Sequence, residues 1–310
     1  MKVLVTGGAG FIGSHVVDVL LEAGHQVSIV DNLWEHGGGK LENINPKAKF
    51  YKVDIRDAEL ADVFDAEHPE AICHLAAQHS VKISTDDPKH DAQVNTLGLI
   101  NILENATRVG VRKVVFSSSG ATYGTVEKMP VNEDTPRNPE SPYGISKMSS
   151  EYYLRFWKEL HGLDFTALRY GNVYGPRQDP MGEAGVIAIF ARRILLGESV
   201  RIDWDGEQQK DYVYVGDVAR SNLLALTKGD GEAYCIGTGK GTSVNALYSG
   251  LVKEIGHEVE IVHAPKRPGD IYLTFFDCSK AERELGWKAE VSLEEGFKFT
   301  ADYFKKKLGL

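Results

Sequence analysis

A glycine-rich turn near the N-terminus constrains the fold of this chain more than any other feature. The turn, residues 6–13 with the sequence TGGAGFIG, follows a short apolar strand predicted over residues 2–5. A helical pattern with one apolar face covers residues 14–23, and a second strand is predicted over residues 27–31. Glycines allow a tight turn and a close backbone approach, while the helix N-terminus offers free N–H groups to a pyrophosphate. This strand–turn–helix–strand context predicts a dinucleotide-binding site.

The acidic residue that ends the second predicted strand bears on which dinucleotide binds. Asp31 can accept hydrogen bonds from the hydroxyl groups of the adenosine ribose. The same carboxylate would repel a phosphate at the 2′ position, so NAD is predicted rather than NADP. The spacing of Asp31 after the glycine turn fits this role, and the alternative is an ordinary aspartate at a strand end.

Strands and helices continue to alternate after this point. Strands are predicted over residues 50–53, 72–75 and 113–116, and a helix is predicted from Asn95 to Asn105. This alternation is typical of a parallel sheet with helices on both faces. We therefore predict an α/β fold built on a Rossmann-like, doubly wound parallel sheet.

Short segments that follow the predicted strands are expected to line the cofactor. Asp54 and Ile55 are positioned to meet the adenine, and the small side chains of Ala76 and Ala77 allow the backbone to pass close to the cofactor. The residues predicted to bind the cofactor are Gly7, Gly10, Phe11, Ile12, Gly13, Asp31, Asn32, Asp54, Ile55, Leu75, Ala76, Ala77, Asn95, Tyr143, Lys147 and Tyr170.

The composition indicates an ordinary globular protein with a net negative charge. Of its residues, 42% are hydrophobic and 25% are charged, as in ordinary globular proteins. A length of 310 residues is enough for one large domain or two lobes. The net charge of −9 makes binding to nucleic acid or to an anionic membrane unexpected. No signal peptide or membrane span is predicted, so a cytoplasmic location is expected. Cys73, Cys235 and Cys278 have no metal-like spacing, so we expect reduced thiols and no metal site.

A tyrosine and a lysine four residues apart give the first indication of chemistry. Tyr143 and Lys147 lie on one face of a predicted helix, because residues at i and i+4 are neighbours there. A tyrosine titrates near pKa ~10, and a nearby cation favours the phenolate. We therefore expect Lys147 to lower the pKa of Tyr143, which would make Tyr143 a general base near neutral pH. Taken alone, the pair also fits a surface helix.

Several motifs taken together resemble the extended short-chain dehydrogenase/reductase family. The glycine turn, residues 74–77 (HLAA), the serines at 117–119 and the Tyr143/Lys147 pair carry the resemblance. It extends across essentially the whole chain through residues 169–178 (RYGNVYGPRQ), 211–215 (DYVYV), 267–270 (RPGD), 279–281 (SKA) and 285–287 (LGW).

The resemblance implies a two-lobed enzyme that uses NAD to epimerise a nucleotide sugar at C4. An NAD-binding Rossmann domain would cover residues 1–170 and be rejoined by residues 206–234. A smaller α/β lobe, residues 171–205 and 235–310, would bind the nucleotide sugar. The implied reaction interconverts UDP-glucose and UDP-galactose, with a UDP-hexose as substrate. The implied assembly is a homodimer formed through the helices that contain Asn95 and Tyr143.

The resemblance also implies roles for individual side chains. Ser119 would hydrogen-bond the sugar 4-hydroxyl and the Tyr143 phenol, with Ser118 as the alternative in this serine run. Tyr143 would take the 4-hydroxyl proton, and Lys147 would hold the nicotinamide ribose. Lys210 stands where the family pattern has arginine, and lysine lacks the bidentate fork of that residue. The residues expected to bind substrate are Ser119, Tyr143, Asn172, Lys210, Arg267 and Asp270, with Arg177 as a further candidate for the diphosphate.

The two residues after Ser119 favour one reaction over its relatives. Related sugar dehydratases carry an Asp and a Glu at these positions, and related decarboxylases carry a Glu. Here the residues are Gly120 and Ala121, which cannot transfer protons. The remaining course for a 4-keto sugar is to turn over and take the hydride back on its other face, which is epimerisation.

One position bears on the choice of substrate, and two alternative functions are open. Thr274, seven residues beyond Arg267, stands where a bulky aromatic residue would narrow the pocket, so UDP-GlcNAc and UDP-GalNAc are further predicted substrates. One alternative is a 4-epimerase of UDP-glucuronate or a UDP-pentose. Another is a scaffold that binds NAD without turnover, although the complete set of Ser119, Tyr143 and Lys147 argues against it.

Overall fold

A computed structural model of the chain describes residues 1–35, 37–181, 185–266 and 271–310. The strands in these ranges are β1 Lys2–Thr6, β2 Gln26–Val30, β3 Lys49–Tyr51, β4 Ala71–His74, β5 Lys113–Ser119, β6 Asp164–Tyr170, β7 Asn172–Tyr174, β8 Val200–Asp203, β9 Gln209–Tyr214, β10 Glu232–Ile236, β11 Gly241–Ser243, β12 Ile261–Ala264 and β13 Leu273–Thr274.

The helices surround these strands. The α-helices are α1 Phe11–Glu22, α2 Leu60–Glu67, α3 Val81–Asp86, α4 Pro88–Ala92, α5 Gly98–Val109, α6 Pro142–His161, α7 Val186–Leu195, α8 Val215–Ala225, α9 Val244–Ile255 and α10 Leu293–Leu308. Short 3-10 turns cover Leu41–Asn43 and Gly120–Thr122, and π-helical turns cover Gln93–Leu97 and Ala281–Leu285. Among the described residues, no helix is long and apolar enough to cross a membrane.

The central sheet of the described chain has seven parallel strands in the order β10-β6-β5-β4-β1-β2-β3. Successive side chains point to opposite faces, so Val3 and Val5 enter one core and Leu4 enters the other. The chain reverses its direction of winding between β1 and β4. In such sheets the crevice beyond the carboxyl ends of the strands at this reversal is the usual place for a ligand.

Helices cover both faces of the central sheet. On one face, α1 and α8 contribute Val16 and Val218 to the core. On the other face, α2, α5 and α6 contribute Phe64, Leu103 and Leu154. The predicted doubly wound α/β fold is therefore confirmed. The helix predicted over residues 14–23 begins three residues earlier, at Phe11, because the end of the glycine turn is already helical.

A smaller lobe is built around β9. Strands β7 and β13 pair with β9 in parallel, β11 pairs with it antiparallel, and β8 and β12 form a separate parallel pair. Helices α7, α9 and α10 share a core with this lobe through Phe190, Leu247 and Phe304. Between β9 and β11 the chain returns to the central sheet through α8 and β10. We propose that the boundaries between the two lobes lie at residues 170, 205 and 234.

Candidate active site

The glycine turn brings the start of α1 against the end of β4. Gly7 has a positive φ of 72°, and a Cβ added there would lie 2.6 Å from the backbone nitrogen of Ala76. A Cβ at Gly13 would lie 2.1 Å from the carbonyl oxygen of Gly7. Both positions therefore require glycine. The first N–H groups of α1, at Phe11 and Ile12, belong to the end of the helix that has no carbonyl partner within it.

Residues 75–77 lie beside this turn, as predicted. Leu75 donates its backbone N–H to the carbonyl oxygen of Thr6 at 3.0 Å, and Ala76 donates to the Thr6 hydroxyl at 3.3 Å. The same hydroxyl is 2.6 Å from Nδ1 of His74. Burial lowers the pKa of His74 to about 3, so the imidazole is neutral. These bonds fix the ends of β1 and β4 to each other at the point where the winding of the sheet reverses.

The predicted adenosine-binding residues cluster at the end of β2. Asp31 is buried, and its carboxylate accepts the backbone N–H groups of Ala9 at 3.1 Å and Leu33 at 2.9 Å. Burial raises the pKa of Asp31, and these two hydrogen bonds act against that rise. Asn32 donates to Asp54 at 2.8 Å.

Side chains close by in the structure fix the positions of Asp54 and Ile55. Arg56 donates to the Asp54 carboxylate from Nε at 2.9 Å and from Nη2 at 2.8 Å, which lowers the pKa of Asp54 to about 2. Ile55 is buried, and a Cβ on Gly98 would lie 2.6 Å from its Cδ1. The structure thus places a charged carboxylate and a buried apolar side chain side by side.

Asn95 lies inside a helical segment rather than at its start, so the predicted start of that helix is wrong. The segment begins at Pro88, and Asn95 occupies the π-helical turn between α4 and α5. Its amide nitrogen contacts Gln78 O at 2.9 Å, Asp91 Oδ1 at 3.0 Å and Ser146 Oγ at 3.1 Å. Asn95 therefore joins this segment to α6. Turns of this kind recur at functional sites, and the hydrophobic periodicity that predicted the helix does not reveal them.

The predicted catalytic residues come together where β5 meets α6. Ser141 caps α6 by accepting the backbone N–H of Gly144 at 3.1 Å, which places Tyr143 in the first turn. The Ser119 side chain lies beside the Tyr143 phenol and acts to lower its pKa. Lys147, one turn further along, is buried and donates from Nζ to the carbonyl oxygen of Ser117 at 2.7 Å.

The structure separates the two candidate serines. Ser118 is buried and donates to Oε1 of Glu151 at 2.6 Å, on the side of β5 that faces the middle of α6. Ser119 is the serine that reaches Tyr143. The Ser118 hydroxyl is instead engaged by Glu151, eight residues further along α6 than Tyr143.

The ionisation of the Tyr143/Lys147 pair differs from our expectation. Burial raises the pKa of Tyr143 to about 12, with the Ser119 side chain acting in the opposite direction. Burial lowers the pKa of Lys147 to about 8, against the attraction of Asp91. The expectation of a lowered pKa for Tyr143 is thus wrong, because desolvation outweighs the contributions of opposite sign and raises the pKa overall.

Tyr170 ends β6 next to Ser119, its register partner on β5. Its hydroxyl accepts a hydrogen bond from Asn222 at 2.8 Å. Burial raises the pKa of Tyr170 well above its ordinary value, so the phenol is neutral. The Tyr170 side chain therefore belongs to the hydrophobic core next to Ser119.

The predicted substrate residues are spread over the smaller lobe. Asn172 is exposed at the start of β7, and Lys210 on β9 donates from Nζ to the carbonyl oxygen of Ile271. The Arg177 guanidinium, a candidate to bind the diphosphate, forms an ion pair at 2.7 Å with Asp18 on α1. This ion pair links the two lobes. Arg267 and Asp270 lie outside the described residues.

The structure also identifies side chains that sequence analysis did not single out. A Cβ on Gly120 would lie 2.6 Å from Cζ of Phe276, which is buried. Trp204 and Tyr272 form an edge-to-face pair with ring centroids 4.8 Å apart, close to Lys210. No local pattern points to these contacts, because each pair is far apart in sequence.

The chain belongs to the extended short-chain dehydrogenase/reductase family of NAD-dependent epimerases and dehydratases. The family model described as GDP-mannose 4,6 dehydratase matches residues 4–300. A UDP-glucose 4-epimerase from Mycolicibacterium smegmatis is 43% identical over 314 residues, covering 99% of each protein.

Solved structures show the same likeness. The UDP-glucose 4-epimerase of Thermotoga maritima, determined with UDP-glucose, superposes with a TM-score of 0.96 at 51% identity and covers 99% of this chain and 100% of its own. The UDP-glucose 4-epimerase of Thermus thermophilus, determined with NAD, gives a TM-score of 0.93 at 44% identity and covers 98% and 99%. The fold and the family expected from the motifs are therefore confirmed.

Proposed function

We propose that this protein interconverts UDP-glucose and UDP-galactose by oxidising the sugar at C4, turning the 4-keto sugar over and reducing it again. The placement of Ser119 beside the Tyr143 phenol, with Gly120 and Ala121 as the next two residues, carries this proposal. Ser119 and Tyr143 form one pair for proton transfer. The next two residues, Gly120 and Ala121, have no side chain that can transfer a proton. UDP-glucose 4-epimerases that are 43% to 51% identical across nearly the whole chain support it.

NAD is the cofactor that the residues fit. Because Gly7 and Gly13 have no Cβ, the turn can pack closely against the backbone of Ala76 and against itself, as a tight dinucleotide-binding turn requires. Residues 10–13 would hold the pyrophosphate at the start of α1, and Asp31 would bind the adenosine ribose. When bound, NAD accepts a hydride from C4 of the sugar and gives it back. The other residues that would line this cofactor are Asn32, Asp54, Ile55, Leu75, Ala76, Ala77, Asn95 and Tyr170.

Tyr143 would hold the proton of the sugar 4-hydroxyl during the oxidised stage. The O–H bond of the sugar breaks, the proton goes to the phenolate oxygen, and the same proton returns when C4 is reduced. With a pKa of about 12, the phenol needs a positive charge nearby to give up its own proton near neutral pH. Lys147, whose pKa is about 8, is protonated at pH 7 and supplies one such charge. Ser119 would orient the 4-hydroxyl toward Tyr143.

The packing around Gly120 disfavours elimination of water. An acidic side chain at this position would have to displace the ring of Phe276, because a Cβ added to Gly120 would lie 2.6 Å from the Cζ atom of that ring. Ala121 follows on the 3-10 turn and carries only a methyl group. The 4-keto sugar therefore has no acid or base at this pair of positions for loss of its 6-hydroxyl.

The smaller lobe would hold the nucleotide. Asn172 at the start of β7 would contact the sugar or the nearer phosphate, and Lys210, Arg267 and Asp270 would bind the diphosphate and its ribose. Tyr272, which is 43% exposed and follows the residue whose carbonyl oxygen accepts from Lys210, would offer an aromatic surface to the base.

Thr274 supports a second group of substrates. Its hydroxyl is buried and has no hydrogen-bond partner among the described residues, which is costly unless another group bonds it. An N-acetyl group at C2 of the sugar would supply such a partner. We therefore include UDP-GlcNAc and UDP-GalNAc as substrates. Replacing Thr274 with Tyr should lower kcat/KM for UDP-GlcNAc at least about tenfold more than for UDP-galactose, and equal losses would contradict this.

A homodimer in the cytoplasm is the form in which we propose that the enzyme works. Helix α6 carries exposed apolar residues at helical spacing, with Tyr152, Phe156 and Leu160 each more than half exposed, at 54%, 53% and 61%. Leu97, at the end of the neighbouring π-helical turn, is 57% exposed. Such a stripe on adjacent helical segments fits pairing with the same stripe on a second copy.

Product identification across a panel of sugars tests the proposed function. Purified protein should convert UDP-galactose and UDP-glucose into each other, with dTDP- and GDP-sugars turned over at least about tenfold more slowly. Conversion of UDP-glucuronate or a UDP-pentose in preference to the hexoses would favour the alternative epimerases. No product from any sugar, with NAD still bound, would favour a scaffold.

A further inference from the structure

We propose that Glu151 is a positioning residue, which holds Tyr143 against Ser119 by tying the middle of α6 to the ends of β5 and β6. This inference rests on the proposed function, since it concerns the same catalytic pair. Glu151 lies eight residues after Tyr143, about 12 Å further along the helix, so it acts through other residues and does not touch the sugar.

Glu151 is the centre of a buried charged cluster. Arg169 on β6 binds its carboxylate with both arms, from Nε at 3.0 Å and from Nη2 at 2.7 Å. Arg137 donates from Nη1 at 2.6 Å, and Ser118 donates its hydroxyl at 2.6 Å. The side chains of Glu151 and Arg169 are each only 6% exposed. Although burial acts to raise the pKa of Glu151, these partners hold it below its ordinary value, so the carboxylate is charged.

The partners of Glu151 stand one residue before the active-site residues. Ser118 and Arg169 are register partners on β5 and β6, and the next pair in register is Ser119 with Tyr170. Fixing Ser118 and Arg169 to Glu151 therefore fixes the strand ends that carry Ser119 and Tyr170. Because Tyr143 is on the same helix as Glu151, one carboxylate sets the placement of both Ser119 and Tyr143.

A third element enters the cluster from the segment before α6. Arg137 lies four residues before the helix cap Ser141, and it ties this segment to Glu151. Arg169 also donates from Nη1 to the hydroxyl of Tyr123 at 2.7 Å, next to the turn that carries Gly120 and Ala121. The chain before and after the catalytic turn is thus anchored to the same carboxylate.

The cost of this cluster indicates that it does more than add stability. Burying charges removes them from water, and buried ion pairs can often be replaced by apolar residues of similar size without loss of stability. Directional bonds from two strands and one loop to a single carboxylate instead define one geometry. A displacement of about 1 Å between reacting groups can lower a rate about a hundredfold, which makes the geometry of this anchor important for turnover.

Replacing Glu151 with Gln in the full chain tests the proposal, with Glu159→Gln as the matched control, an exposed residue on the same helix. We expect kcat for UDP-galactose to fall about 10- to 100-fold, KM to change less than about twofold, and the amount of bound NAD to be unchanged. The control should match the wild-type protein. A Glu151→Gln protein with wild-type kcat would overturn the proposal, as would a loss confined to KM.

Because removing one partner of a buried ion pair can unfold a protein, Ser118→Ala provides a milder test. It removes only the bond from β5 to Glu151, so the melting temperature should drop by no more than about 4 °C. We expect kcat to fall about threefold to tenfold, with KM unchanged. In the Glu151→Gln background the same change should have no further effect on kcat. Wild-type kcat in Ser118→Ala, or an equal loss in both backgrounds, would overturn the proposal.

The wild-type protein, assayed in the same series, separates this proposal from the proposed function. If the wild-type protein forms no UDP-glucose from UDP-galactose, the proposed function fails. If it does, and the Glu151 and Ser118 variants do so equally well, only the positioning role fails.

Discussion

Lys147 donates a hydrogen bond from Nζ to the carbonyl oxygen of Ser117 at 2.7 Å. Ser117 lies two residues before Ser119 on β5, so the lysine is attached to the strand whose Ser119 side chain lies beside Tyr143. One strand end and one helix turn therefore hold all three catalytic candidates. This arrangement places the ammonium group close to Tyr143 but directs one of its protons to the backbone.

The ionisation of Lys147 predicts how turnover depends on pH. Burial lowers its pKa to about 8, so the ammonium is present at pH 7 and is lost as the pH rises through 8. Turnover needs the Tyr143 phenolate together with the Lys147 ammonium, a form in which the pair has lost one proton, so kcat should rise by up to about tenfold per pH unit below about pH 8 and level off above it. Steady-state kcat for UDP-galactose from pH 6 to 10 measures this, with melting curves at each pH to verify folding. A kcat that falls between pH 8 and 10, or that is constant from pH 6 to 8, would contradict this pairing of charges.

Replacing Tyr143 with Phe should abolish turnover, because the sugar 4-hydroxyl then has no acceptor for its proton. We expect kcat to fall at least about a thousandfold, with the content of bound NAD unchanged. The matched control is Tyr153→Phe, a half-buried tyrosine on the same helix, which should retain wild-type kcat. Equal activity in both variants would refute the assignment of Tyr143 as the base.

The contact between Gly120 and Phe276 predicts a change in stability. An alanine at position 120 would place its Cβ 2.6 Å from the Phe276 ring, so Gly120→Ala should lower the free energy of unfolding by about 1–3 kcal/mol. Urea unfolding measures this difference. Adding Phe276→Leu should cost less in the Gly120→Ala background than in the wild-type protein, because the smaller side chain relieves the clash. Strictly additive effects would argue against direct contact.

The exposed stripe on α6 predicts the assembly state. Phe156→Glu should shift the protein from dimer to monomer in light scattering at micromolar concentration, because a charge would be buried in the contact. Phe299→Glu on α10 is the matched control, with an exposed phenylalanine of similar accessibility, 42% against 53%. If both variants stay dimeric, or if the wild-type protein is already a monomer, the stripe on α6 is not a dimer interface.

The cofactor half of the site could be read from the sequence because its signals are local. The glycines of the turn and Asp31 fall within one strand–helix–strand unit, where spacing alone places them beside the same ligand. The spacing of Tyr143 and Lys147 likewise predicted a shared helix face. Spacing says nothing about burial, which is why the direction of the Tyr143 pKa was predicted wrongly.

The contacts that select the reaction could not be read in this way. A run of three serines has no periodicity that tells Ser118 from Ser119, and only their contacts with α6, Ser118 with Glu151 and Ser119 beside Tyr143, distinguish them. Phe276 reaches Gly120 from a distant part of the chain, and Arg169 reaches Glu151 from a neighbouring strand. The sequence analysis did not single out Glu151, although its position four residues after Lys147, on the same face of α6, is a local signal that could have done so.

Tracing the hydrogen at C4 tests the central claim most directly. Purified protein would be given UDP-galactose carrying deuterium at C4, and the UDP-glucose formed would be examined by NMR and mass spectrometry. Because the same hydride leaves C4 and returns to it on the other face, we expect the product to retain essentially all its deuterium at C4, with inverted configuration. Product that has lost deuterium at C4, or has lost a water molecule, would contradict this account.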